Sequence, residues 1–185
     1  MGTLAYTIIS SLDGYMNDID GDIVWAAPTP EVFTFLNERE AWVHTQLYGR
    51  RAYEVMVPWE TDAALIESGE NEREFAEWWQ RTDKIVYSTT LDEVVTGNTR
   101  LERTFHPDAV RRLKEESPGD LSVFGPTLAA HAFDAGLVDE VRLYLRPRTL
   151  GGGTPALPRT RLRLKLLEER RFQDGTVYLG YAVRP

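Results

Sequence analysis

Several things are missing from this 185-residue chain, and each absence removes a class of protein. It has no cysteine, which excludes disulfide scaffolds, thiol nucleophiles and cysteine-ligated zinc. Its three histidines, His44, His106 and His131, show neither metal-ligand spacing nor a paired acid, so no metal site is expected. No apolar run reaches the roughly 20 residues that span a bilayer. Residues 1–10 lack the basic start and cleavage signal of a secretory peptide. Basic charge is also scarce: the net charge is -8, which argues against a nucleic-acid partner, because a phosphate backbone demands a basic face. These absences point to a soluble cytoplasmic protein in which a few local arginines hold any anionic ligand. Neither a complete G-x-G-x-x-G nor a Walker A pattern occurs, so a standard Rossmann site and a P-loop kinase find no support.

What is present reads as one domain, 1–185, with a continuous core; hydrophobic residues make up 42%. Leu4–Ser10 is apolar on both alternating sets, as in a central strand covered on both faces. Ser11-Leu12-Asp13-Gly14 turns the chain, and a polar loop follows at 17–22. Thr29, Pro30 and Glu31 suit the start of a helix burying Val32, Phe33, Phe35 and Leu36 and ending by His44. Short segments follow: a strand at 45–48, a helix at 52–56 stopped at Pro58, and a polar surface loop at 61–71. A helix over 72–80 directs Phe75, Trp78 and Trp79 inward, and a strand over 84–88 comes next. Pro107–Glu116 reads as a helix.

Leu121–Phe124 suits a short buried strand. It breaks at Gly125-Pro126, where Thr127 is placed to cap a helix carrying Leu128, Ala132 and Ala135 on one narrow face. That sequence of strand, turn and helix start gathers free N–H groups and the positive end of a helix dipole, a seat for phosphate. Gly136 stops the helix. A strand at 140–146 then leads to Gly151-Gly152-Gly153, and two closing strands near 162–169 and 176–183 meet at Asp174-Gly175. The pattern predicts an α/β fold: a mostly parallel sheet with flanking helices and an antiparallel C-terminal hairpin.

Five ordered stretches carry a family resemblance: Ser10–Gly14, Tyr48–Glu54, Val86–Leu91, Ala135–Glu140 and Leu150–Pro155. Together they resemble the dihydrofolate-reductase-like family, and within it the reductase domain at the C-terminus of the bifunctional riboflavin-biosynthesis deaminase/reductase. The resemblance covers nearly the whole chain. It implies a three-layer fold, NADPH laid across the strand ends, a small heterocyclic or sugar-amine substrate beside the nicotinamide, and a homodimer.

Each implied site also has its own chemistry. At Gly49-Arg50-Arg51, glycine permits close backbone approach, and a guanidinium matches the 2′-phosphate of NADPH; the plainer reading is a solvated arginine pair. The family's hydroxyl two residues after Arg50 is replaced by Ala52. Ser88 and Thr89 belong beside the adenosine half, or else satisfy local backbone groups. Phe124, Gly125, Pro126, Thr127 and Leu128 should receive the pyrophosphate, although Pro126 has no N–H to give. Asp13 follows the first strand, facing substrate or bonding its own turn. Glu31 stands where dihydrofolate reductases place the acid that holds the pterin, with Trp25 nearby; acids also favour helix starts for dipole reasons alone. Gly151 and Gly152 let a loop approach the ligand closely. Asp13 and Glu31 are therefore the candidate catalytic residues.

Overall fold

The computed structural model describes residues 2–184. Eight strands form one sheet in the order β4-β3-β2-β5-β1-β6-β8-β7. In chain order, β1 (Leu4–Ser11) leads through a 3-10 turn at Val24–Ala26 into α1 (Pro30–Glu40) and β2 (Val43–Gly49). Helices α2 (Arg50–Met56), α3 (Pro58–Thr61), α4 (Ala63–Ile66) and α5 (Glu70–Arg81) come next, then β3 (Asp83–Tyr87) and β4 (Thr99–Glu102). After α6 (Pro107–Glu116) come β5 (Asp120–Phe124), α7 (Pro126–Asp134) and β6 (Glu140–Arg146). The chain closes with β7 (Arg163–Arg171) and β8 (Val177–Arg184). Strands β1 to β6 pair in parallel, and β8 joins β6 and β7 antiparallel. The expected mixed sheet with its closing hairpin is therefore what forms.

Two-faced burial explains the layering. Helices α6 and α7 cover one face through Val110, Leu128, Ala129, Ala132 and Phe133, packed on Leu4, Tyr6, Leu47 and Leu121. The other face carries α1, α2 and α5, with Phe33, Tyr53, Phe75, Trp78 and Trp79 against Tyr48 and Val86. Alternating strand residues serve opposite layers: Leu47 and Tyr48 fall in different clusters because successive side chains point to opposite faces. Trp79 is fully buried, and a buried aromatic of this size contributes roughly 2–3 kcal/mol through apolar area alone. Beneath it, the Lys84 ammonium donates to Trp79 O (2.8 Å) and Thr82 O (2.9 Å) and lies 4.4 Å from the Trp79 ring centroid. It thus closes the carbonyl end of α5. Burial pushes its pKa down to about 8, while Glu60 and Asp83 pull it back up.

Some local expectations need correction. Helix α7 begins at Pro126, with Gly125 as its N-cap at φ 96 and no side-chain cap, so Thr127 lies inside the helix and does not cap it. Proline without an N–H is well suited to the first helical position. The Thr29 hydroxyl does not cap α1 either, and donates instead to Asp174 Oδ2 (3.2 Å). The polar stretch expected as a loop at 61–71 contains α4 and the start of α5; Asp62 caps α4 by accepting from Ala64 N and Leu65 N. Strand β4 adds an unforeseen edge, and β2 starts at Val43, two residues early.

Candidate active site

The connections define where a ligand belongs. From β2 the chain moves outward to β3 and β4, whereas from β5 it moves the other way, over β1 to β6. Helix α2 leaves β2 on one face and α7 leaves β5 on the other. In an open α/β sheet, such a reversal between neighbouring strands opens a crevice beyond their carboxyl ends. Tyr48 pairs with Phe124 at the ends of β2 and β5, so Gly49-Arg50-Arg51 and Gly125-Pro126-Thr127-Leu128 face each other across it. The two helix starts approach closely. A Cβ on Gly125 would stand 2.9 Å from Ala52 Cβ, and one on Gly49 would stand 3.8 Å from Leu128 Cβ. Gly125 therefore has two reasons to be glycine, its positive φ and its contact with Ala52. The small Ala52 side chain is what that contact admits.

Among the described residues, donors in the crevice have few internal partners. Helix α7 has no side-chain N-cap bond, and the N–H groups of Thr127 and Leu128 precede its first i→i−4 bond. Arg50 is exposed and, among the described residues, pairs only with Glu54, at 3.2 Å, an i,i+4 contact of little strength. Arg51 is exposed as well. One step along the edge, β3 lies beside β2 with Tyr87 opposite Gly49. There the Ser88 hydroxyl accepts from Thr90 N (3.2 Å) and Leu91 N (2.9 Å), which is its local backbone role, while Thr89 stays exposed. Arg103 braces this turn by donating to Ser88 O (3.2 Å) and Leu91 O (2.5 Å); its place in a polar stretch gave no signal in the sequence.

On the other side of the crevice, the loops after β1 and β6 are laced together. The Asp13 carboxylate accepts from Ser11 Oγ (2.6 Å), Leu150 N (3.0 Å) and Gly151 N (2.7 Å). Those donors, Ser11 foremost, lower its pKa to about 2. Tyr15 bridges to Pro155, Thr154 N donates to Asn17 Oδ1 (2.8 Å), and Gly153 admits no side chain against Asn17 O. Tyr6 OH donates to Ala156 O (2.5 Å) beneath them. Gly152 sits in the same loop. Asp13 thus bonds both its own turn and the glycine loop.

Glu31, in the first turn of α1, meets the β7–β8 turn beside the carboxyl end of β6. Its Oε2 accepts from Gln173 N (3.0 Å) in the β7–β8 turn, and Arg170 stands 3.9 Å from Oε1. These contacts tie α1 to the closing hairpin. Trp25 donates from Nε1 to Asp22 O (3.2 Å) within its own loop. Among the described residues no group of three or more metal-ligating side chains occurs, and no helix is long and apolar enough to cross a membrane.

Apart from Glu31 and Trp25, the candidate residues occupy the carboxyl ends of five adjacent strands, β3, β2, β5, β1 and β6. A crevice with helix-start N–H groups and cations on one flank and a carboxylate-bearing loop on the other marks the carboxyl edge of this α/β sheet. Residues 3–178 match the profile of the RibD C-terminal domain, and the chain belongs to that family. Similar solved structures include a putative riboflavin biosynthesis protein from Shewanella sp. PV-4, with TM-score 0.74, 22% identity and 99% of each chain covered. Another is the diaminohydroxyphosphoribosylaminopyrimidine deaminase/5-amino-6-(5-phosphoribosylamino)uracil reductase of Thermotoga maritima, with TM-score 0.68 and 16% identity, covering 99% of this chain and 57% of that one. Dihydrofolate reductase from Enterococcus faecalis, solved with NADP(H), aligns with TM-score 0.65 and 14% identity over all of this chain and 98% of that one. The fold is dihydrofolate-reductase-like.

Proposed function

We propose that this protein is an NADPH-dependent reductase acting on a small heterocyclic or sugar-amine substrate. The observation that carries the reading is the β2/β5 crevice, where the start of α7 and the arginines opening α2 meet across two glycines. Membership of the RibD C-terminal domain family supports it.

The residues present fit such a cofactor. Gly125 offers no side chain to block a pyrophosphate, the N–H groups of Thr127 and Leu128 point out of the first turn of α7, and the helix dipole favours the anion. Arg50 must release a weak surface partner to pair with a 2′-phosphate, at small cost. The bound nicotinamide would supply a hydride to an electrophilic C=N or C=O carbon. The chain's own task is then positioning, and well-oriented reactants gain several kcal/mol of barrier that way. Asp13 serves that end as a positioning residue: it fixes the Leu150–Gly151 backbone, which becomes one wall of the substrate space. A dihydrofolate reductase reading is the alternative, and it requires the Glu31 carboxylate to exchange its hairpin partner Gln173 N for the substrate. We read the protein as a cytoplasmic homodimer; Leu164, Leu166 and Leu167 on β7 are 38%, 44% and 54% exposed, which suits an apolar surface covered by a second copy.

The test is hydride transfer itself. Purified protein is offered NADPH deuterated at nicotinamide C4, together with pyrimidine ribosylamine, pterin and carbonyl substrates. Deuterium in one reduced product establishes the activity and its substrate class; failure to oxidise NADPH with any of them would overturn the reductase reading.

A further inference from the structure

A cavity of about 460 Å³ lies far from the carboxyl-edge crevice, on the α1 face of the sheet toward its amino edge. Its floor follows from strand register, which sets Arg142, Gly180 and Glu168 abreast on β6, β8 and β7. A Cβ built on Gly180 would stand 2.9 Å from the Tyr178 hydroxyl. That hydroxyl therefore lies over Gly180, on the floor itself. Tyr178 is only 3% exposed as a residue, and its hydroxyl, which forms no hydrogen bond among the described residues, faces the cavity.

The walls carry an excess of acid. Two guanidiniums, Arg39 and Arg142, face four carboxylates, Glu38, Asp120, Glu140 and Glu168. The cations are already committed, Arg39 to Glu168 and Arg142 to Glu140 at 3.1 Å. Glu38 and Asp120 have no ion pair among the described residues, and Asp120 Oδ1 accepts only from Thr3 N (3.1 Å), so two carboxylates of the cavity lack a cationic partner. Trp42 stands at its rim with 77% of its surface exposed, unusual for so large an aromatic side chain.

We propose that this cavity is a second binding site, independent of the reductase reading, for a small organic cation of the polyamine class. Its ammonium groups donate to the Glu38 and Asp120 carboxylates and to the free lone pairs of Tyr178, and its methylene chain lies against the Trp42 indole, whose face attracts cations. The volume suits a small molecule, and the absent side chain at Gly180 is what leaves the room.

Calorimetric titration of the full chain with spermidine, in about 0.15 M salt to screen diffuse attraction, tests the site; 1,4-butanediol serves as the uncharged control. Saturable one-to-one binding is expected, weakened about tenfold by Trp42→Ala and by Glu38→Gln and about fivefold by Tyr178→Phe. NADPH affinity should stay unchanged in all three. Glu38 and Trp42 are exposed, so those two variants keep the fold. Absence of saturable heat overturns the proposal. So does equal binding by wild type and all variants, which would reduce the effect to general attraction by a chain of charge -8.

Discussion

The crevice between β2 and β5 and the paired loops after β1 and β6 lie side by side on one edge of the sheet, yet they are built in opposite ways. The crevice is lined by glycine, alanine and the start of α7, which has no side-chain cap, and among the described residues Arg50 holds only a surface partner. The loops spend their polar groups on each other: Leu12 N donates to Arg148 O, Met16 N to Thr154 O and Ala156 N to Gly14 O, with Asp13 clasping two further amides. In the proposed reading the open flank takes an anion at the cost of one weak surface ion pair. A laced flank is a rigid wall that fixes what lies against it. The contrast divides the labour of the proposed reductase into cofactor capture on one side and substrate positioning on the other.

Breaking the open flank should have the largest effect. Gly125→Val places a β-branched residue at φ 96 and 2.9 Å from Ala52, so NADPH affinity should fall more than about a hundredfold and stability by roughly 3 kcal/mol, read by titration and thermal unfolding. Unchanged binding would show that the crevice tolerates bulk and is not the cofactor seat. Arg50→Ala should cost NADPH about thirtyfold, or about 2 kcal/mol for a lost charge-assisted contact, and leave NADH almost unaffected. Because the Arg50–Glu54 pair is exposed, the melting temperature should barely move.

The laced flank should respond differently. Asp13→Asn turns an amide toward the N–H groups of Leu150 or Gly151, so turnover should fall about tenfold through poorer positioning, while cofactor affinity stays level. Loss of both together would merge the two flanks into one site. The smallest effect concerns pH. The folded pKa of Asp13 is about 2, against an ordinary value of 3.8, so its ionised form is favoured in the native state. Its stabilising contribution is complete above the ordinary value and is lost as pH falls from about 4 toward 2. The Gly151 amide resonance should titrate with a midpoint near 2 in wild type and not in Asp13→Asn; a midpoint at the ordinary value would dissolve the clasp.

The sheet was legible because its strands are strongly apolar: β1 is buried on both faces and Gly136 and Gly175 take the positive φ that stops and turns require. Strand β4 was not legible, since Thr99–Glu102 is a short polar edge segment that only pairing with β3 makes a strand. The two-residue error at the α7 start came from reading Gly-Pro as a break, when the pair is an N-cap and a first helical residue. Candidate residues at strand ends were found because turn motifs follow strands in sequence. The Glu31 contact was not legible because a helix-start acid looks the same whether it meets a ligand or a hairpin amide 142 positions away. The cavity under α1 was invisible for the same reason: Arg142, Gly180 and Glu168 meet only through register.

The division of labour rests on cofactor capture, so the direct measurement is a fluorescence titration of wild type and Arg50→Ala with NADPH and NADH, using quenching of the native tryptophans. Micromolar NADPH binding by wild type, with the preference over NADH abolished in the variant, is the predicted result. Equal affinity for the two cofactors in wild type, or no binding of either, would contradict it.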